Sequence, residues 1–187
     1  MKRTELKGTY GYEDFITDEE QNELLEWTKN NSHLFRINET KSDSINAPYG
    51  SRRIGVLNEI KDSPLDLVKK IKDRVIGIEQ IKDWMEEPYF QDAIGINEEG
   101  GSIHIHTDQN PVGYVHTRYN IILSYPFEGG HSIYGDKINV LKEKLVWKCI
   151  AGKIPHGSTV VVGNKPRITL TLGFLIPEVQ KNNKSLL

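Results

Sequence analysis

From Ala93 to Ile176 the chain breaks into short β-rich runs, each stopped by turn-forming residues, and this rhythm constrains the fold more than any other feature. The runs are Ala93 to Asn97, Ser102 to His106, Arg118 to Tyr125, Leu145 to Ile150, Thr159 to Val162 and Ile168 to Ile176. Gly100-Gly101, Asn110-Pro111, Gly129-Gly130 and Asn164-Lys165-Pro166 punctuate them. Helical patterning is confined to the first half. Thr17-Asp18-Glu19-Glu20 is a capping box, and Leu24, Leu25 and Trp27 give the following helix an apolar stripe that runs out near Asn30-Asn31. A second helix is expected with Ser63 as N-cap and Pro64 at its first position. Val68, Ile71 and Val75 recur along it at helical spacing, with a break near Gly77 and a resumption through Ile81 and Trp84. Residues 36–53, polar and turn-rich around Asn46-Ala47-Pro48-Tyr49-Gly50, read as a surface loop. Helices first and strands later predicts a mainly β, α+β chain, its N-terminal helices packed outside an antiparallel double sheet.

A length of 187 residues predicts one domain, 1–187. Residues 1–90 would give helical support and loop, 91–177 the β core, and 178–187 a fraying tail. With 24 Lys+Arg against 26 Asp+Glu, the formal charge of −2 argues against nucleic acid as a partner. The single cysteine, Cys149, excludes an intramolecular disulfide framework and a Cys-rich zinc module. No run approaches the ~18 apolar residues of a membrane span, and Met1 to Lys7 lacks a signal-peptide core. These features predict a soluble, cytoplasmic protein.

Five of the six histidines lie in the β-rich half. In Ser102-Ile103-His104-Ile105-His106-Thr107-Asp108, strand alternation puts His104, His106 and Asp108 on one face, opposite Ile103 and Ile105. A bend after His106 would let His106 and Asp108, roughly 6.6 Å apart along a strand, reach one metal. His156, following Pro155, is a third candidate ligand. His106, Asp108 and His156 would then form a two-His-one-carboxylate triad, which leaves coordination positions open as in non-heme Fe(II) oxygenases. Arg167 heads the last run, where period two sets Arg167, Thr169 and Thr171 against Ile168, Leu170 and Leu172. An arginine on an inward face needs an anion, and a carboxylate matches its planar fork.

The order His106-x-Asp108, Arg118, Tyr125, Gly129-Gly130, His156 and Arg167-x-Thr169 resembles the Fe(II)- and 2-oxoglutarate-dependent dioxygenases. The likeness is to the prolyl-hydroxylase-like branch, with a further echo of aspartyl/asparaginyl hydroxylases, and spans about Ala93 to Pro177. The resemblance implies a double-stranded β-helix (jelly-roll, cupin-like) core, with Fe(II), 2-oxoglutarate as co-substrate and O2. It implies that His106, Asp108 and His156 bind the metal and that no catalytic residue is needed beyond that centre. It further implies that Arg167 grips the distal carboxylate of 2-oxoglutarate with help from Thr169. Arg118 and Asn120, which share a strand face, are expected to contact co-substrate or an acidic group on the substrate; His104 reads as a packed residue behind the ligands, with a substrate or co-substrate contact as its other reading. Two positions depart from the pattern: Asn97 stands nine before His106, where a Tyr often holds the co-substrate, and Phe127 replaces an Asn. Asp108 favours hydroxylation, since halogenating relatives carry Gly or Ala there.

The implied activity is hydroxylation of an unactivated C–H bond in an amino acid, a peptide or protein residue, or a small natural-product intermediate. Two alternatives remain at this point. One is a cupin-like metalloenzyme that does not use 2-oxoglutarate, weakened because Asn110 and Pro111 stand where its Glu ligand would be. The other is a non-catalytic jelly-roll binding module. His116 and His131 read as loop residues, with a substrate-facing role as the other reading; Arg52-Arg53 reads as a solvated pair on the polar loop, or else as meeting an acidic substrate that folds the loop; and Cys149 reads as a small buried apolar side chain.

Overall fold

The structure, a computed structural model, describes residues 1–38, 48–88 and 90–178. It opens with a hairpin, β1 (Lys2–Leu6) and β2 (Thr9–Glu13), turned at Gly8 with φ +86°. Helix α1 (Asp18–Asn31) follows, then β3 (Arg36–Ile37), β4 (Arg52–Val56), α2 (Leu65–Glu79) and β5 (Met85–Glu86). The rest is strand and turn: β6 (Asp92–Asn97), β7 (Ile103–His106), β8 (Tyr114–Ser124), β9 (Glu128–Gly129), β10 (Ser132–Tyr134), β11 (Lys137–Asn139), β12 (Val146–Cys149), β13 (His156–Ser158), β14 (Val161–Val162) and β15 (Arg167–Pro177).

Among the described residues these strands form two principal antiparallel sheets. The larger has the order β1-β2-β12-β8-β15-β6-β4-β3, with β5 also on β15; the smaller has the order β11-β10-β13-β7. A short pair, β14 with β9, lies beside them. This is a mainly β jelly-roll core with helices on the outside, as expected. Alternation along β15 decides what each face does. Leu170 and Leu172 point outward, fully buried with Ile94 and Ile121 against Leu24 of α1 and Val68, Ile71 and Val75 of α2. Arg167, Thr169 and Thr171 point inward and line a cavity of ≈ 130 Å³.

The capping box of α1 is complete: Thr17 Oγ1 accepts from Glu20 N at 3.2 Å, and Glu20 Oε2 accepts from Thr17 N at 3.1 Å. The second helix departs from expectation at both ends. Ser63 does not cap it; its hydroxyl donates to Ile60 O at 2.6 Å, and Pro64 takes the N-cap position. Gly77 does not break it either, for the helix runs to Glu79 and stops at Gln80, in the left-handed region. Burial of Ile71 and Val75, and the hold on Glu79 described next, outweigh the ~1 kcal/mol helix cost of one glycine. Glu79 accepts hydrogen bonds from Tyr10 at 2.6 Å and from Tyr12 and Tyr119 at 2.8 Å. Ile81 and Trp84 pack on the same core without resuming the helix.

The segment read as a loop over 36–53 is framed by β3 and β4, which pair with one another; Asn46 and Ala47 lie outside the described residues. Strand β4 has weak β patterning in Arg-Arg-Ile-Gly-Val, yet it pairs along all of its length with β6. At Gly55 any Cβ would lie 2.5 Å from the Phe35 ring, so the strand carries a glycine where the chain crosses that side chain.

Candidate metal centre

Strands β7 and β13 are antiparallel neighbours with His106 opposite His156. Two residues further Ser158 pairs with Ile103, so His104 and Ile105 together face Gly157 alone. That bulge turns Ile103 and His106 to the same side, and both line the cavity. Simple alternation, which opposes Ile103 to His106, is corrected here. Glycine is required across the bulge, since a Cβ at 157 would lie 2.6 Å from Ile103 O and 3.1 Å from His104 O.

The ligating atoms of His106, Asp108 and His156 all lie within 4.8 Å of one another. His106 Nδ1 sits 2.9 Å from His104 O, and His156 Nδ1 sits 3.2 Å from Ile154 O. A carbonyl only accepts, so each Nδ1 carries the proton and each Nε2 keeps its lone pair. Burial pushes His156 down to about 4, so it is neutral at pH 7 as a metal ligand must be. Asp108 follows the end of β7, its N–H donating to Ala151 O at 2.9 Å.

Asp108 is held by its other oxygen. Arg118 Nε donates to Oδ2 at 2.8 Å, while Oδ1 lies 3.4 Å from His106 Nε2. Burial alone would raise the carboxyl, but the charge and the hydrogen bond of Arg118 bring it well below the usual range. Arg118, expected at co-substrate or substrate, thus spends its Nε on Asp108, with Glu87 Oε2 at 3.7 Å from Nη2. His116, read as a loop residue, is a buried strand residue whose Nδ1 lies 3.4 Å from Asp108 Oδ2. Burial and Arg118 push it down.

At the other end of the cavity stands Arg167, 4% exposed. Its Nη2 donates to Ser132 Oγ at 3.1 Å, but its Nε has no partner within the protein, nor does Thr169 Oγ1. Buried polar atoms without partners are rare, and several lining one cavity mark a binding surface. Burial pulls Arg167 down to about 10, leaving it cationic at neutral pH. Two further residues join it. Asn97 is 3% exposed with Oδ1 unpartnered, and Arg52, read as a solvated surface residue, lines the cavity with Nη1 unpartnered.

The remaining expected residues fall as follows. Asn120 shares the cavity wall with Arg118, and its Oδ1 accepts from Thr171 Oγ1 at 2.9 Å. His104 stacks on His106, ring centroids 4.8 Å apart, behind the ligand set. His131 bonds the Tyr125 hydroxyl at 2.7 Å. Cys149 is fully buried, and burial pushes its thiol up. Phe127 lies 85% exposed, away from the cavity. Arg52 carried no signal, sitting in a polar run with no periodicity to give its direction.

No family model matches the sequence, and no curated protein matches it. Solved structures do match the fold. The collagen prolyl hydroxylase of Paramecium Bursaria Chlorella virus-1, solved as its 2OG complex, aligns with a TM-score of 0.62 at 13% identity, covering 89% of this chain and 94% of that one. A Pseudomonas putida prolyl-4-hydroxylase aligns at 0.62 and 12% identity, covering 91% and 93%. A Trichoplax adhaerens prolyl hydroxylase, in complex with a hypoxia inducible factor oxygen degradation domain peptide, aligns at 0.64 and 14% identity, covering 91% and 84%. The chain therefore shares the fold of these prolyl hydroxylases.

Proposed function

We propose that this protein is an Fe(II)- and 2-oxoglutarate-dependent dioxygenase that hydroxylates an unactivated C–H bond of an amino acid, a peptide or protein residue, or a small natural-product intermediate. The observation that carries the reading is the pairing, in one cavity, of the His106, Asp108 and His156 donor set with the buried, unpartnered Arg167 Nε. Two imidazole nitrogens and one carboxylate suit a first-row divalent metal with open positions. The Arg167 fork, with the Thr169 hydroxyl beside it, suits the far carboxylate of a dicarboxylate. Fe(II) with 2-oxoglutarate and O2 supplies an oxidant strong enough for a C–H bond, at the expense of oxidative decarboxylation to succinate and CO2.

The chain's own side chains do the rest. His104 O and Ile154 O fix the two imidazole tautomers, Arg118 fixes Asp108, and Arg167 orients the co-substrate along the cavity. Asn120 and Thr171, joined by a hydrogen bond, form one polar wall of the cavity. The peptide bound to the Trichoplax adhaerens neighbour supports a peptidyl substrate among the candidates.

The reading is tested by anaerobic titration with Fe(II) and 2-oxoglutarate, following the visible metal-to-ligand charge-transfer band. The wild type should show the band, His106→Ala should lose it, and Arg167→Ala should need about 10- to 100-fold more co-substrate. Fe(II) binding with no band on adding 2-oxoglutarate would overturn it.

A further inference from the structure

Arg52, Asn97 and Arg167 stand in a row across three neighbouring strands. Asn97 of β6 is the register partner of Arg52 on β4 and of Arg167 on β15. With a strand spacing of about 4.8 Å, the two arginine Cα atoms are about 10 Å apart, a gap two long side chains can close from either side. Both arginines line the same cavity, and Asn97, short and uncharged, lies between them. Each of the three carries an atom shielded from water with no partner in the protein: Arg52 Nη1, Asn97 Oδ1 and Arg167 Nε.

The charges around them do not balance. Among the described residues lining the cavity the acidic side chain is Asp108, and Arg118 already engages it. Neighbouring Arg53 is bound by Glu98. Arg52 and Arg167 are left facing the cavity with no carboxylate between them. They are also close enough to sense each other, since burial first and the charge of Arg167 second pull Arg52 down to about 10. Two shielded like charges are costly unless an anion lies between them.

We propose that Arg52 is a second arginine on the distal carboxylate of the co-substrate, so that this carboxylate is held between Arg52 and Arg167 over Asn97. This rests on the reading of the cavity as a 2-oxoglutarate site. In that arrangement the strand before the core replaces the side chain that Asn97 does not provide. A carboxylate has two oxygens and about four acceptor sites, enough for both guanidinium groups and the Thr169 hydroxyl.

The test separates the distal carboxylate from the rest of the ligand. Mn(II)-loaded wild type, Arg52→Gln, Arg52→Lys and Arg167→Gln are titrated calorimetrically with 2-oxoglutarate and with 2-oxopentanoate, which lacks the distal carboxylate. Arg52→Gln should weaken 2-oxoglutarate by about 10- to 100-fold and change 2-oxopentanoate by no more than about twofold. Arg52→Lys, keeping the charge but not the fork, should show a smaller loss with the same selectivity, and it carries the test if Arg52→Gln does not fold. Unchanged 2-oxoglutarate affinity in Arg52→Gln, or equal losses for both acids, overturns the proposal. If Arg167→Gln alone loses affinity, the function stands and the clamp is a single arginine. A wild type that does not prefer 2-oxoglutarate over 2-oxopentanoate brings down the functional reading, and the two-arginine clamp with it.

Discussion

Arg118 binds one oxygen of the Asp108 carboxylate and leaves the other: Arg118 Nε donates to Oδ2 at 2.8 Å, and Oδ1 is left 3.4 Å from His106 Nε2, within the candidate metal site. The guanidinium keeps Asp108 ionised and fixes its plane. Arg118→Gln is therefore expected to weaken Fe(II) or Mn(II) binding by about 10- to 100-fold, read by equilibrium dialysis beside a melting curve that confirms folding. A variant that binds metal as well as wild type would show that the pairing does not position the ligand.

Gly157→Ala should act through the backbone. Its Cβ would meet Ile103 O at 2.6 Å, a main-chain atom that moves only if the bulge opens. The bulge sets the direction of His106, so metal affinity should fall together with stability by about 1–3 kcal/mol. Chemical denaturation and metal titration measure the two losses; a normal metal affinity in a destabilised variant would separate the bulge from the site.

Removing one hydroxyl probes the grip on the end of α2. Tyr119 is 2% exposed and donates to Glu79 Oε2 at 2.8 Å, alongside Tyr10, Tyr12 and Lys148. Tyr119→Phe should cost about 1.5–3 kcal/mol in urea denaturation, a loss typical of a buried bond to a charged acceptor. A change near zero would mean that the other three donors suffice.

Acid should loosen the junction between the two helices. Arg74 grips Glu20 at 2.7 and 2.9 Å and holds its carboxyl down at about 2, against an ordinary 4.5. Because the folded value is the lower one, this stabilisation is full above about pH 4.5 and is lost as pH falls toward 2. It amounts to something on the order of 3 kcal/mol. In Glu20→Gln the stability measured between those limits should vary less with pH; an unchanged profile would assign the acid sensitivity elsewhere.

What could be read from the sequence follows from how local the cause is. The capping box at Thr17 and Glu20 lies within one helical turn, and the inward face of Arg167, Thr169 and Thr171 follows from period two. Both are visible without the fold. The pairing of Arg118 with Asp108 depends on how β8 passes the end of β7, and spacing alone left Arg118 facing a ligand. Arg52 was read as solvated because only the pairing of β4 with β6 turns it inward. The hairpin β1–β2 carries alternation only in Tyr10 and Tyr12; its place comes from pairing with β12, with Gly11 opposite Trp147. The helix break at Gly77 failed because burial and the Glu79 cluster act over long sequence distances.

The position of β15 sets a condition on how the molecule assembles. It lies between β8 and β6, joining the strand group β1-β2-β12-β8 to the group β6-β4-β3, and it is the last strand to leave the ribosome among the described residues. Until it docks, the two halves of the large sheet share no strand pairing among the described residues, and contacts so distant in sequence close slowly. Arg167 and Thr169 arrive on that same strand. A nascent or partly folded chain can bring His106, Asp108 and His156 together while still lacking the arginine read as the co-substrate's anchor, so completion of the sheet and competence for the dicarboxylate would come in a single step.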